Sequence, residues 1–183
     1  MSEMNLKGRT IGIIAGPGFA DSQVVKVAQR LRQRGARVSV IGTGESEAVA
    51  VAGRQGSLLK PDIVLSKARA GLFDALIITG GDSMERLVAD ERILTLLLET
   101  HLLHKPIGAS CNATPILAAA GLITGMRVTG DARDRDELEK AGSIYLDQGV
   151  TVDHNIVTAR AEEDVPHFVD AVSFLLEPAT SRR

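Results

Sequence analysis

A single cysteine, no tryptophan, one tyrosine and four phenylalanines leave this chain with few of the residues that usually announce a function. One cysteine cannot close an internal disulfide, and no cysteine–histidine spacing outlines a structural zinc site. Aromatics make up only 3% of a chain that is 44% hydrophobic, so the core must be built from Val, Leu, Ile and Ala. Charge of neither sign dominates: 21 Lys and Arg stand against 23 Asp and Glu, a net charge of −2. That balance provides no basic surface for nucleic acid. No apolar run approaches the roughly 18 residues of a membrane span, and the opening MSEMNLKGRT has no apolar signal core. The expectation is a soluble cytoplasmic protein with no nucleic-acid or membrane partner. A length of 183 residues suits one domain, 1–183, with 178–183 as a mobile tail.

What is present is alternation. Short β-rich runs exchange with longer helical patterns, which predicts a mostly parallel sheet with helices on both faces. RTIGIIAG (9–16) reads as a buried strand, and 21–35 as an amphipathic helix with Val24, Val27, Ala28 and Leu31 on one stripe and Gly35 as its stop. ARVSVIG (36–42) reads as a strand, 48–65 as a short β excursion, and FDALIITGG (73–81) as the clearest buried strand. Residues 83–105 carry helical periodicity in two pieces broken near Asp90. PIGAS (106–110) is a strand and 113–123 a helix, with Pro115 in its first turn, where a missing N–H costs nothing. An extended piece at 127–130, a polar helix at 133–142, a hairpin at 150–159 and a closing helix at 163–177 complete the pattern.

The lone cysteine, Cys111, falls where the fifth of these strands gives way to a helix, in GASCNATP. A buried cysteine is usually a small hydrophobe. At a strand-to-helix turn, converging N–H groups instead favour the thiolate, and a low-pKa, strained thiol is expected. Ligands of open α/β sheets bind beyond the carboxyl ends of the strands. There AGPGFAD, TGGDSME and GASCN would meet, with the N–H groups of Gly81 and Asn112 as an oxyanion hole. GPGFAD does not complete a dinucleotide fingerprint, since its third glycine is missing and Pro17 lacks an N–H. Neither a cofactor nor a metal is expected. His101, His104, His154 and His167 read as solvated residues.

These segments resemble the ThiJ/PfpI superfamily, the cysteine-elbow branch of the class I glutamine amidotransferase-like fold. FDALIITGG is similar to that family's F-D-A-L-hydrophobic-P-G-G strand, with Thr79 in place of Pro. KPIGASCNATPILAAAGLITG is similar to K-P-(V/I)-A-(A/S)-I-C-H-G-P-x-x-L-x-x-A-G-(V/L)-L-x-G. VTGDARDRDELEKAG and VTVDHNIVTAR resemble V-T-S-Y-P-G-I-R-D-D-L-E-N-A-G and V-V-V-D-G-N-L-I-T-S-R. The resemblance covers nearly the whole chain and implies a flavodoxin-like three-layer sandwich. It also implies a reactive Cys111 and a homo-oligomer in which Glu85 reaches a neighbouring subunit's site. The family's histidine after the cysteine is Asn112 here. Its two glutamates after the first strand are Ala20 and Gln23, which leaves Asp21 as the acidic residue of that stretch. Asp131 stands where Tyr or His is frequent. GGDSMERLVADERILTLLL…HKPIGA resembles, in addition, the C-terminal domain of large-subunit catalases.

Two classes of function follow. One is a cysteine-dependent amidase, hydrolase or glyoxalase-like enzyme acting on a small molecule, with Cys111 as nucleophile and Gln23, Asp21 or Asp131 as polar partners. Efficient peptide hydrolysis is not expected, because Asn112 cannot titrate. The other is a non-catalytic or redox-sensing stress protein. A titratable group within reach of Cys111 separates the two.

Overall fold

A computed structural model describes residues 4–177; the tail expected at 178–183 lies outside the described residues. Seven strands form one sheet. They are β1 (Thr10–Ala15), β2 (Arg37–Gly42), β5 (Ile63–Val64), β6 (Ala75–Ile78), β7 (Ile107–Ser110), β10 (Val150–Asp153) and β11 (Ile156–Ala159). Their order is β10-β11-β7-β6-β1-β2-β5, parallel throughout except for the β10–β11 hairpin. Two small pairs lie outside it: β3 (Val51–Ala52) with β4 (Leu58–Leu59), and β8 (Arg127–Val128) with β9 (Ile144–Tyr145). The helices are α1 (Asp21–Gln33), α2 (Met84–Val88), α3 (Glu91–Leu102), α4 (Thr114–Ala119), α5 (Arg135–Lys140) and α6 (Val165–Leu176).

The strands sort their side chains by the two-residue period of a pleated sheet. On β6, Ala75 and Ile77 join the core beneath α1 and α6, while Leu76 and Ile78 join the core beneath α2 to α5. Both faces are therefore covered, the α/β sandwich expected from the alternation. Few aromatics are needed because close approach does their work. Gly108 on β7 leaves room for the ring of Phe168 on α6, whose Cζ lies 2.6 Å from where a Cβ would stand. The break near Asp90 is real: its carboxylate caps α3 by accepting from the Arg92 N–H at 3.0 Å. Two readings ran long, since the helices expected at 113–123 and 133–142 close at Ala119 and Lys140. After β1 the chain moves outward to β2 and β5; β6 then returns to the other side of β1 and leads on to β7. The strand order reverses between β1 and β6, so the ligand crevice of such a sheet opens at their carboxyl ends.

Candidate active site

Cys111 follows β7 directly and has φ 59°, a left-handed conformation that side chains adopt only under constraint. The constraint comes from both neighbours. Asn112 faces the end of β6 and pairs with both backbone groups of Gly81 as another strand would: its Nδ2 donates to the Gly81 carbonyl at 2.9 Å, and its Oδ1 accepts the Gly81 N–H at 3.1 Å. The Cys111 carbonyl accepts from the Asp131 N–H at 3.3 Å and the Thr114 hydroxyl at 3.5 Å. Gly80 makes the close approach possible, because a Cβ there would stand 2.3 Å from Asn112 Oδ1 and 3.2 Å from Cys111 Cβ. This pairing corrects one expectation. The Gly81 N–H is already bound to Asn112 and is not free to stabilise an oxyanion.

Around the sulfur stand an amide and a carboxylate. Gln23, fully buried on α1, accepts the Ser110 hydroxyl at Oε1 over 3.0 Å. That leaves its NH₂ to hydrogen-bond Cys111. Asp131 brings Oδ2 to 3.9 Å from Cys111 Sγ. Arg133 clamps the same carboxylate through its backbone N–H at 3.0 Å, Nε at 2.9 Å and Nη2 at 2.6 Å. The guanidinium holds the Asp131 carboxyl below the usual carboxylate range. Cys111 itself is half-buried. Burial pushes its thiol up, the Asn112 N–H pulls it down, the Asp131 charge pushes it up again, and Gln23 and Arg133 pull it down. The net shift is upward, opposite to the low-pKa thiol expected from the turn. Desolvation outweighs the donors.

Two candidates do other work. Asp21 is buried, but its carboxylate points into the β3–β4 turn, accepting the Gln55 and Ser57 N–H groups at 2.8 Å each. Burial opposes its charge, and the hydrogen bonds from Gln55 and Ser57 outweigh that and lower its pKa. Asp21 therefore ties the excursion at 51–59 to α1 rather than serving Cys111. Glu85 is exposed on α2 and makes no side-chain hydrogen bond or ion pair among the described residues. The structure thus brings Gln23, Gly81, Asn112 and Asp131 to Cys111, and leaves Asp21 and Glu85 apart.

Three further polar residues stand at this end of the sheet without a role assigned by the sequence pattern. Ser110, at the last position of β7, orients Gln23. Arg133, expected at the start of the polar helix 133–142, lies ahead of α5, in a turn capped by Asp131. Thr79 follows β6 beside Ser110 and buries a hydroxyl that has no partner among the described residues. Polar residues within TGG and GAS were the available signal, since small polar groups at strand ends have little reason to be buried without a task.

The fold and this elbow define an α/β protein with a cysteine poised at the carboxyl edge of its sheet. The model of the DJ-1/PfpI family matches residues 9–174, and the chain belongs to that family. Among similar proteins, the putative cysteine protease YraA of Bacillus subtilis is 31% identical over 87% of this chain and 94% of its own length. General stress protein 18 of the same organism is 30% identical over 93% of this chain and 99% of its own. The deglycase PfpI of Pyrococcus furiosus is 28% identical over 80% and 87%. In shape, the ThiJ/PfpI domain protein of Brachyspira murdochii is similar at a TM-score of 0.87, with 23% identity over 93% of this chain and 97% of that one.

Proposed function

We propose that the protein is a cysteine-dependent enzyme acting on a small electrophilic carbonyl compound, such as a 2-oxoaldehyde, with Cys111 as nucleophile and Asp131 as its proton acceptor. The observation that carries this reading is the 3.9 Å approach of Asp131 Oδ2 to the sulfur. A thiol whose pKa is raised is neutral at rest, so its proton must leave as the sulfur attacks. In that step the S–H proton passes to Asp131, the S–C bond forms, and the carbonyl π pair moves onto oxygen. Asp131 then returns the proton to that oxygen, giving a hemithioacetal with no net change in charge. A proton shift from C1 to C2 through an ene-diol gives a thioester, and its hydrolysis by water releases a 2-hydroxy acid and restores the Cys111 thiol. Peptide hydrolysis fits less well, because Asn112 cannot titrate and Asp131 would have to serve alone as proton acceptor for the thiol and proton donor for a leaving amine. The name of the archaeal deglycase relative supports the small-carbonyl reading.

Consumption of methylglyoxal by the purified chain tests it. Cys111→Ala should abolish turnover, and Asp131→Asn should slow it by about 10²-fold. A wild-type rate no faster than that of Cys111→Ala would sink the proposal.

A second reading rests on the donors at the sulfur. The Asn112 N–H and the Gln23 amide suit a sulfinate, and a chain with one cysteine has no resolving thiol. The stress-protein name of one relative supports this alternative. Under graded hydrogen peroxide, wild type should gain two oxygens by intact mass and Cys111→Ser should not. Equal gains in both would point to the methionines and end this reading.

A further inference from the structure

Four helices of this chain stop in the same way. After α1, α3, α4 and α5, the second residue past the helix turns left-handed. Its N–H bonds back to the helix, and the next residue bonds back one position earlier. Three of these stops use glycine, Gly35, Gly121 and Gly142, with φ of 89°, 71° and 86°. The stop of α3 uses His104, with φ 56°. Its N–H donates to the His101 carbonyl at 2.8 Å, and that of Lys105 to Thr100 at 3.2 Å. The two-residue turn of the β10–β11 hairpin repeats the substitution: His154 occupies its first position with φ 52°, where glycine is usual. Among the described residues only three non-glycine residues have positive φ: Cys111 and these two histidines.

Both histidines line one cleft of about 410 Å³ at the end of the sheet opposite Cys111. The third histidine there is His101, whose Nδ1 is buried and has no hydrogen-bond partner among the described residues. Pro106, Met126 and Leu175 give the cleft an apolar wall. Asn155 ties the hairpin turn to the α3 stop, donating to the Lys105 carbonyl at 2.7 Å. Glycine would be cheaper at both left-handed positions, and one structural stop does not explain two histidines meeting across a cleft.

We infer that this cleft is a binding site, separate from Cys111, for a small carboxylate carrying a short apolar body. Imidazoles donate N–H groups whether neutral or protonated. The nearby carboxylate, Asp153, is already engaged by the Arg127 N–H at 2.9 Å and by His154 Nδ1 at 2.8 Å. No three His, Cys, Asp or Glu among the described residues stand close enough to hold a metal ion. The polar groups therefore suit an organic anion, and the volume is that of a small-molecule site.

Hexanoate is a suitable probe, with hexylammonium and hexanol as charge controls. In imidazole nitrogen NMR of the intact chain, hexanoate should shift the resonances of His101, His104 and His154 and leave His167 unmoved, while neither control does so. His104→Gly and His154→Gly should each weaken hexanoate binding at least tenfold while raising Tm by about 2 °C. The rise in Tm shows that the variants remain folded. No shift at about 10 mM hexanoate, equal shifts with the controls, or undiminished binding in both glycine variants would overturn the site. Because Cys111 takes no part, Cys111→Ala should bind hexanoate as wild type does, so this outcome is independent of the activity proposed above.

Discussion

The two ends of the sheet treat backbone strain in opposite ways. At the carboxyl end, Cys111 is held left-handed by neighbours that all depend on one another: the Asn112–Gly81 pair, the Asp131 N–H, the Thr114 hydroxyl and the space left by Gly80. At the amino end, His104 and His154 take up left-handed conformations in a helix stop and a hairpin turn whose hydrogen bonds run between backbone atoms and would form for any residue. Strain of the first kind is part of a machine whose pieces cannot be exchanged singly. Strain of the second kind is removable, and its persistence marks a side chain that is there for its own sake.

The largest effect that can break this contrast comes from Gly80→Ala. Its Cβ would meet Asn112 Oδ1 and Cys111 Cβ, and we expect a loss of about 3 kcal/mol by urea denaturation together with altered Cys111 labelling. A neutral result would mean that the elbow is looser than the Asn112 pairing implies. Next comes the opposite sign. His104→Gly or His154→Gly relieves a left-handed side chain and should stabilise by up to about 1 kcal/mol each. Destabilisation by either would show that the imidazole packs as structure.

The smallest effect is a displacement along the pH axis. The Asp131 charge raises the Cys111 pKa and the Arg133 charge lowers it. Asp131→Asn should therefore move iodoacetamide labelling to lower pH, and Arg133→Gln should move it to higher pH. Movement of both variants in the same direction would detach the pair from the sulfur.

Most of the sheet was legible because its strands are buried on both sides. IGIIA and ALII are continuous apolar runs between glycines and charged residues, and little else fits such a pattern. Of the small β8–β9 pair, β8 falls within the extended piece expected at 127–130, but β9 was not legible, since two residues hold no period to read. At the site, Cys111 stood out through residue type and position, and Gln23 and Asp131 through the family resemblance. Asp21 misled because an acidic residue near a strand end reads as chemistry, whereas its partners Gln55 and Ser57 lie 34 and 36 residues along the chain. Arg133 was hidden by its charged neighbours. Its backward fold onto Asp131 depends on a turn that composition does not announce.

The carboxamide of Asn112 has the same donor and acceptor as a peptide bond, and it uses them on Gly81 as a peptide would. An imidazole in that place would gain or lose a proton across the physiological range and would change its hydrogen bonds as it did so. The amide has no such alternative state. The frame that bends the chain at Cys111 is therefore indifferent to acidity, and any pH response of this elbow must be confined to the sulfur and the carboxylate beside it.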